Sequence, residues 1–238
     1  MFEFDKIKYY NSSCNSVAII PARKGSNRIK NKNIKKLNGI PVISYSIKLA
    51  IRSKLFKTVI VSTDCMKIAK ISQKYGAEIF FLRPKYLSND KVGTIEVISH
   101  AVNYLKKKNL LYNYVCCIYP VAPLINLRRF RNCYEILRSS KFNYVFPVSK
   151  YHKTNNTYLL LNKNRTIKKK TNKTSCKKLI SHYNDTGQYY WGTFGSWLKK
   201  KSLFTSRTKV IFLSKNEFVD VNTLQDWKIL KYLYNFFF

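Results

Sequence analysis

Four consecutive apolar residues, Val17 to Ile20, then Pro21, then a loop dense in positive charge, constrain this chain more than any other stretch. An uninterrupted apolar run of that length is the pattern of a strand buried on both faces. A proline, with no N–H to donate, ends it. The loop sets Gly25, Ser26 and Asn27 among Arg23, Lys24, Arg28, Lys30 and Lys32. Glycine reaches backbone angles closed to other residues, so neighbouring N–H groups can converge on an anion. Arginine adds a rigid donor fork and lysine a mobile point charge, both suited to phosphate oxygens. The loop therefore reads as a polyphosphate cradle, with a basic surface loop in a lysine-rich protein as the alternative. Neither the three-glycine dinucleotide fingerprint nor the Walker pattern is present.

Downstream, strand and helix patterns alternate. Asn38-Gly39 marks a turn, and Pro41 opens a helix with Val42, Ile43, Tyr45, Ile47, Leu49 and Ala50 on one broad side. Val59 to Val61 form a second buried strand ending in Ser62-Thr63-Asp64. A helix from Met66 to Tyr75 stops at Gly76, a suitable C-cap, and Ala77 to Phe81 read as a third strand. A helix over Thr94 to Lys107, a strand over Tyr114 to Tyr119, a helix over Phe130 to Leu137 and a strand over Tyr144 to Val148 follow. Late in the chain come a strand over Val210 to Leu213 and a helix over Leu224 to Leu233, for which Asn222 with Gln225 three residues on gives an N-cap pattern. Such alternation implies an α/β fold with a Rossmann-like, mostly parallel sheet and helices on both faces. In such sheets ligands meet the carboxyl ends of strands. Asp64 lies at one of these ends, where a ligand contact and a helix cap are both open to it.

Residues 22–33, Ala-Arg-Lys-Gly-Ser-Asn-Arg-Ile-Lys-Asn-Lys-Asn, resemble the nucleotide-binding signature of the acylneuraminate cytidylyltransferases, within which the Gln188 to Gly192 segment is most like the bacterial pseudaminic acid enzymes. The resemblance spans about residues 16–235 and implies a nucleotide-diphospho-sugar transferase type of fold. It also implies transfer of CMP from CTP to an acidic nine-carbon sugar, with pyrophosphate released. On this resemblance Ala22, Arg23, Gly25, Ser26, Arg28, Lys32 and Asn33 would bind the nucleotide. The segment Arg83-Pro84-Lys85-Tyr86-Leu87-Ser88-Asn89-Asp90 is similar to the family's R-P-x-x-L-A/S-x-D element, with Thr94 at its threonine, which adds Arg83 and Asp90 to the nucleotide site. Gln188-Tyr189-Tyr190-Trp191-Gly192 resembles a segment of the pseudaminic acid enzymes, implying sugar contacts by Gln188, Tyr189 and Tyr190; an aromatic core and turn is the alternative.

The chain departs from the family pattern at two places. Val121 stands where a threonine is usual after Pro120, so a hydroxyl is lost. Asp220-Val221-Asn222 stands where two carboxylates usually hold Mg²⁺ (with Mn²⁺ as a substitute), so Asp220 keeps its charge and Asn222 offers only an amide oxygen. Arg23, Arg28, Lys32 and Asp220 would carry catalysis. Neither His100, His152 nor His182 pairs with a nucleophile in the sequence.

The expected organisation is one domain over residues 15–238, an N-terminal extension over 1–14 and an excursion over 149–190. Residues 141–182 contain no acid and eleven Lys or Arg. The resemblance makes this excursion a small basic dimerisation arm, hence a homodimer, and a flexible basic loop is the alternative. The formal charge is +34, from 45 Lys and Arg against 11 acids. Spread along the chain, that charge predicts non-specific polyanion binding at low salt rather than a specific nucleic-acid partner. No apolar run reaches the roughly 18 residues of a membrane span, and no signal-peptide core is visible, so a cytoplasmic protein with reduced thiols is expected. The alternatives in function are an N-acetylneuraminate or other sugar nucleotidyltransferase, and a catalytically impaired nucleic-acid or nucleotide-binding module.

Overall fold

A computed structural model of the chain describes residues 14–26, 28–150, 157–172 and 182–238. The N-terminal extension before Cys14, together with Asn27, His152 and the arm residues 151–156 and 173–181, lies outside the described residues. In chain order the elements are β1 (Ser16–Pro21), β2 (Lys36–Leu37), β3 (Ile40–Pro41), α1 (Ile43–Ser53), β4 (Thr58–Ser62), α2 (Met66–Lys74), α3 (Thr94–Lys107), β5 (Tyr114–Ile118) and α4 (Leu127–Arg138). They continue with β6 (Tyr144–Lys150), β7 (Thr157–Leu161), β8 (Ile167–Asn172), β9 (Tyr183–Asp185), β10 (Tyr189–Thr193), α5 (Phe194–Leu198), β11 (Thr208–Leu213) and α6 (Leu224–Phe237).

β1 lies between β4 and β5, parallel to both. Its alternating side chains explain its continuous apolar run. Ala18 and Ile20 enter a core with α1, α2 and α4, while Val17 and Ile19 enter a second core with α3 and α5. The expectation of helices on both faces therefore holds. The expectation of a mostly parallel sheet needs correction. β10 runs antiparallel between β5 and β6, and β9 is antiparallel to the far end of β6, while β11 returns parallel on the other edge of β6. The chain leaves β6 for the excursion and comes back through β9 and β10 in the opposite direction, which the strand patterns alone do not reveal.

Local chemistry sets most boundaries. Asn38 and Gly39 both have positive φ, 49° and 79°, as the tight turn between β2 and β3 requires. α2 ends in a Schellman arrangement: Gly76 (φ 102°) donates to the Gln73 carbonyl at 3.0 Å and Ala77 donates to that of Ser72 at 3.1 Å. Residues 77–82 run alongside β4 through two isolated parallel bridges, Ile60 to Glu78 and Thr63 to Leu82, rather than forming the full third strand expected. Pro41 belongs to β3, and α1 begins two residues later.

The excursion folds back on its own sheet where it is described. β7 and β8 make a hairpin around Arg165, whose φ is 60°, and β8 is the outer strand. Ile167 is fully buried while Lys168 and Lys170 are exposed. Lysines are a usual guard on an edge strand, and they hide its period from a sequence reading.

The cap of α6 is shifted by one residue from the expected Asn222/Gln225 pair. Thr223 accepts from the Asp226 backbone N–H at 3.2 Å, and Asp226 accepts from the Thr223 backbone N–H at 2.7 Å, a reciprocal capping box. Burial opposes the Asp226 charge, but hydrogen bonds from the Asn222 and Thr223 backbones and the Thr223 hydroxyl outweigh it and hold its pKa below the ordinary value. Thr223→Ala is expected to cost about 1 kcal/mol in a urea unfolding curve. Because the Asp226 pKa is depressed by folding, its contribution is present above the unfolded-state value. It fades as pH falls through the folded-state value.

Candidate active site

The carboxyl ends of β1 and β5, the 3-10 turn at Lys32–Ile34, the start of α3 and the segment before α6 enclose a cleft of about 680 Å³. Its wall includes Arg23, Gly25, Ser26, Arg28, Lys32 and Asn33 from the loop after β1, Arg83 and Asp90 from the segment before α3, and Asp220 and Asn222. Eight of the nine expected nucleotide-site residues thus meet in one cavity with both expected metal-site residues. The ninth, Ala22, is fully buried behind it and donates its N–H to the Ser62 carbonyl at 2.9 Å.

The loop is braced from several directions. The Lys24 N–H donates to Asp64 Oδ1 at 2.8 Å, and Asn33 Nδ2 donates to the Arg23 carbonyl at 2.9 Å. Asp64 therefore ties down the loop; Cys65 is the N-cap of α2, and its side chain makes no cap bond. Arg23 forms an ion pair with Asp90. Arg83 is 5% exposed, donates Nε to Ser88 Oγ at 3.1 Å, and leaves Nη2 without a hydrogen bond. Burial pulls the Arg83 pKa down and the Asp64 carboxylate pulls it back up. A buried guanidinium with an unused donor on a cavity wall is costly unless an anion arrives.

Lys32 donates Nζ to the Val221 carbonyl at 2.8 Å, between the two acidic-segment residues. Its pKa is lowered, first by burial and then by Arg28 and Arg23, against the opposing pull of Asp220 and Asp226. Asn222 Nδ2 donates to Asp220 Oδ2 at 2.8 Å.

Gly25 behaves differently from the expectation. It is absent from the positive-φ residues, and a Cβ there would meet nothing within 4 Å. The fold itself makes no steric demand for glycine at this position. Gly25→Ala is therefore expected to unfold at the wild-type temperature; a loss of CTP affinity by calorimetry would mark close approach of the ligand to this backbone.

The three residues expected to touch sugar lie inside the protein and off the cleft wall, because β10 is a central strand. Gln188 is 4% exposed and donates Nε2 to the Glu217 carbonyl at 2.8 Å, bracing the segment that leads to Asp220. Tyr189 packs on Phe130 with ring centroids 4.9 Å apart, in the core beneath α4. Tyr190, on the opposite face of β10, donates its hydroxyl to Asp185. Tyr119 and Gly187 are among the wall residues to which the sequence gave no role. Tyr119, directly after β5, meets Thr94 hydroxyl to hydroxyl at 2.5 Å, and Gly187 has a φ of 61°. The signal for Tyr119 was its place at the carboxyl end of a buried strand. Val121 also lines the cleft, adding an apolar side chain where a hydroxyl was expected.

Residues 17–223 match the profile of the cytidylyltransferase family. This chain belongs to that family. Among curated cytidylyltransferases, the pseudaminic acid cytidylyltransferase of Campylobacter jejuni is 35% identical over 222 residues, covering 92% of this chain and 96% of that one. A Helicobacter pylori protein named pseudaminic acid cytidylyltransferase and UDP-2,4-diacetamido-2,4,6-trideoxy-beta-L-altropyranose hydrolase is 30% identical, covering 90% of this chain and 41% of that longer one. A Campylobacter jejuni CMP-N,N'-diacetyllegionaminic acid synthase is 49% identical over a shorter stretch of 83 residues, 35% of each chain. Among solved structures, a CMP:2-keto-3-deoxy-manno-octonic acid synthetase complexed with CTP shares the fold, with a TM-score of 0.74 at 14% identity, covering 92% of this chain and 98% of that one. The cytidylyltransferase described here thus has an α/β, Rossmann-like nucleotide-diphospho-sugar transferase fold. No helix among the described residues is long and apolar enough to cross a membrane.

Proposed function

We propose that this cytidylyltransferase condenses CTP with a nine-carbon 2-keto acidic sugar, pseudaminic acid being favoured, to give the CMP-sugar and pyrophosphate. The observation that carries this reading is the gathering of Arg23, Arg28, Lys32 and Arg83 around one cleft that also holds Asp220. Such a cluster suits a triphosphate whose α-phosphorus is attacked by the anomeric hydroxyl. The sugar hydroxyl releases its proton to solvent as its oxygen bonds to phosphorus, the bond to the bridging oxygen breaks, and pyrophosphate carries away the electron pair. Positioning the reactants in line and neutralising the developing charge are the protein's main tasks. Arg28 and Lys32 would stabilise charge on the phosphates, Arg23 would exchange Asp90 for them, and Arg83 would give its unused donor to the nucleotide.

Asp220 and Asn222 fit a Mg²⁺ ion as a partial set of oxygen ligands, one carboxylate and one amide. No cluster of three or more His, Cys, Asp or Glu is found among the described residues. Mg²⁺ usually takes one or two carboxylates and completes its shell with phosphate and water oxygens. When bound, the ion would act as a Lewis acid on the triphosphate oxygens. Restoring the second carboxylate with Asn222→Asp is expected to lower the Mg²⁺ concentration giving half-maximal rate several-fold. An unchanged Mg²⁺ titration would remove Asn222 from the ion's surroundings.

The protein would work in the cytoplasm as a homodimer, with the basic excursion around β7, β8 and β9 as the contact. Light scattering during size exclusion would test this. A second reading, a legionaminic-type acid as the acceptor, is favoured by the 49% identical stretch. The deciding experiment measures pyrophosphate release with CTP, ATP, GTP or UTP against pseudaminic, N-acetylneuraminic and N,N'-diacetyllegionaminic acids. Release with CTP and pseudaminic acid alone is expected. Silence in every combination, together with polyanion binding that collapses with salt, would favour a non-catalytic binding module instead.

A further inference from the structure

One corner of the cleft is apolar, and it adjoins the candidate ion site. Val121, from the loop after β5, and Val219, from the segment before α6, both line the cavity and are partly buried. Both pack on one group of buried side chains that includes Leu124, Val221 and Trp227. Val219 directly precedes Asp220. Val221 directly follows it, and its carbonyl holds Lys32 Nζ at 2.8 Å. Pro120, also on the wall, has no N–H to offer. The side chains of this corner therefore supply neither donor nor acceptor, in a cleft otherwise crowded with both.

The position of the corner points to the acceptor rather than the nucleotide. The attacking hydroxyl must reach the α-phosphorus where Lys32 and the ion on Asp220 neutralise charge, so the acceptor lies at that end of the cleft. The other apolar wall residues, Leu87, Val92 and Val97, belong to α3 and the segment before it, together with Arg83 and Asp90 on the nucleotide's side. We propose that Val121 and Val219 select the acceptor by packing against one of its methyl groups, either a terminal methyl or the methyl of an N-acyl group. The proposal rests on the cytidylyltransferase reaction above. A hydroxyl carried to the same place would lose its water and find no partner among these side chains. Apolar pockets distinguish one methylene by about 10- to 200-fold, and an added hydroxyl by about 100-fold.

The first readout needs no turnover. Protein labelled at valine methyls is observed by NMR with CMP present, so that no transfer can occur. The Val121 signals are identified by their disappearance in Val121→Thr. They are expected to move when pseudaminic acid, or N,N'-diacetyllegionaminic acid in its place, joins CMP. No further movement with either acid overturns the proposal, because the corner then does not touch the acceptor. Moved Val121 signals in a protein that releases no pyrophosphate would count against the proposed reaction alone. Turnover with unmoved signals would count against the methyl contact alone.

The second readout is the ratio of kcat/KM values for acceptors that differ at one carbon. Pseudaminic acid is compared with an analogue hydroxylated at its terminal methyl and with analogues carrying N-formyl in place of each N-acetyl group. Wild-type protein is expected to disfavour one of these analogues by at least about 10-fold, and which one identifies the methyl that is held. Equal rates with all of them overturn the proposal. Val121→Thr sets a hydroxyl beside that methyl and is expected to narrow the preference about 10-fold. An unchanged preference overturns the role of Val121. Each preference is a ratio measured on one protein, so a lower folded fraction cancels. If Val121→Thr does not fold, Val121→Ala serves in its place, since it removes the same contact without adding a polar atom.

Discussion

Gly192→Ala protein is expected to be recovered unfolded or in inclusion bodies. The added Cβ would lie 2.5 Å from Trp197 Nε1 and 2.6 Å from Tyr144 Cδ1, closer than any real contact allows. Neither neighbour can give way. Trp197 is fully buried and donates Nε1 to the Val115 carbonyl at 3.3 Å, and Tyr144 is fully buried and donates its hydroxyl to the Lys201 carbonyl at 2.9 Å. The two rings also pack edge to face at 4.9 Å, so moving one disturbs the other. Overpacking of a tight core typically costs about 1–3 kcal/mol and sometimes more. Here a buried hydrogen bond is lost as well, bringing the total to a large fraction of a domain's stability. Circular dichroism and a thermal melt of any soluble fraction would check it. A cooperative melt near that of the wild type would show that the sheet can shift at this point.

Lys32→Ala is expected to lower kcat by about 100- to 1000-fold, the usual scale for removing one preorganised charge-stabilising group. The side chain is half-buried, its ammonium is held at 2.8 Å by the Val221 carbonyl, and Asp220 and Asn222 flank that carbonyl in sequence. It therefore joins the loop after β1 to the segment before α6, and places one positive charge beside the candidate ion site. Lys32→Arg is expected to recover little, because a wide planar fork does not occupy the place of a compact ammonium. Stopped-flow or steady-state pyrophosphate release with saturating CTP would measure both. A KM effect with kcat intact would instead make Lys32 a binding residue with no special hold on the transition state.

Much of this site could be read from the order of residues alone because its chemistry is local. Arg23, Gly25, Ser26, Arg28, Lys32 and Asn33 all fall within one loop after a strand whose continuous apolar run has a single physical reading. Long-range facts were less accessible. Nothing in Tyr189-Tyr190-Trp191 states that this segment is inserted between β5 and β6, so its rings looked available to a ligand when they are core. An apolar-aromatic run fits a buried strand and a binding wall equally well. The Lys-rich sequence of β8 concealed a strand for a related reason, since Ile167 is the sole apolar residue in Ile-Lys-Lys-Lys-Thr-Asn and leaves no alternation to read. The one-residue shift in the α6 cap reflects a close competition: Asn222, Thr223, Gln225 and Asp226 all suit a capping box, and backbone geometry chooses the second and fourth of these.

The reversed position of β10 has a consequence for how the polypeptide is made. The strand that fills the middle of the sheet is among the last to be synthesised, some seventy residues after its partner β5, by the spacing of Tyr114–Ile118 and Tyr189–Thr193. Until it emerges, β5, whose sequence is Tyr-Val-Cys-Cys-Ile, has one open edge and no natural neighbour there. Exposed apolar edges of that kind are templates for intermolecular pairing. Pairings so distant in sequence also form slowly. Slower translation before residue 189 would prolong that exposure, and chaperone capture of nascent chains should peak just before β10 leaves the ribosome.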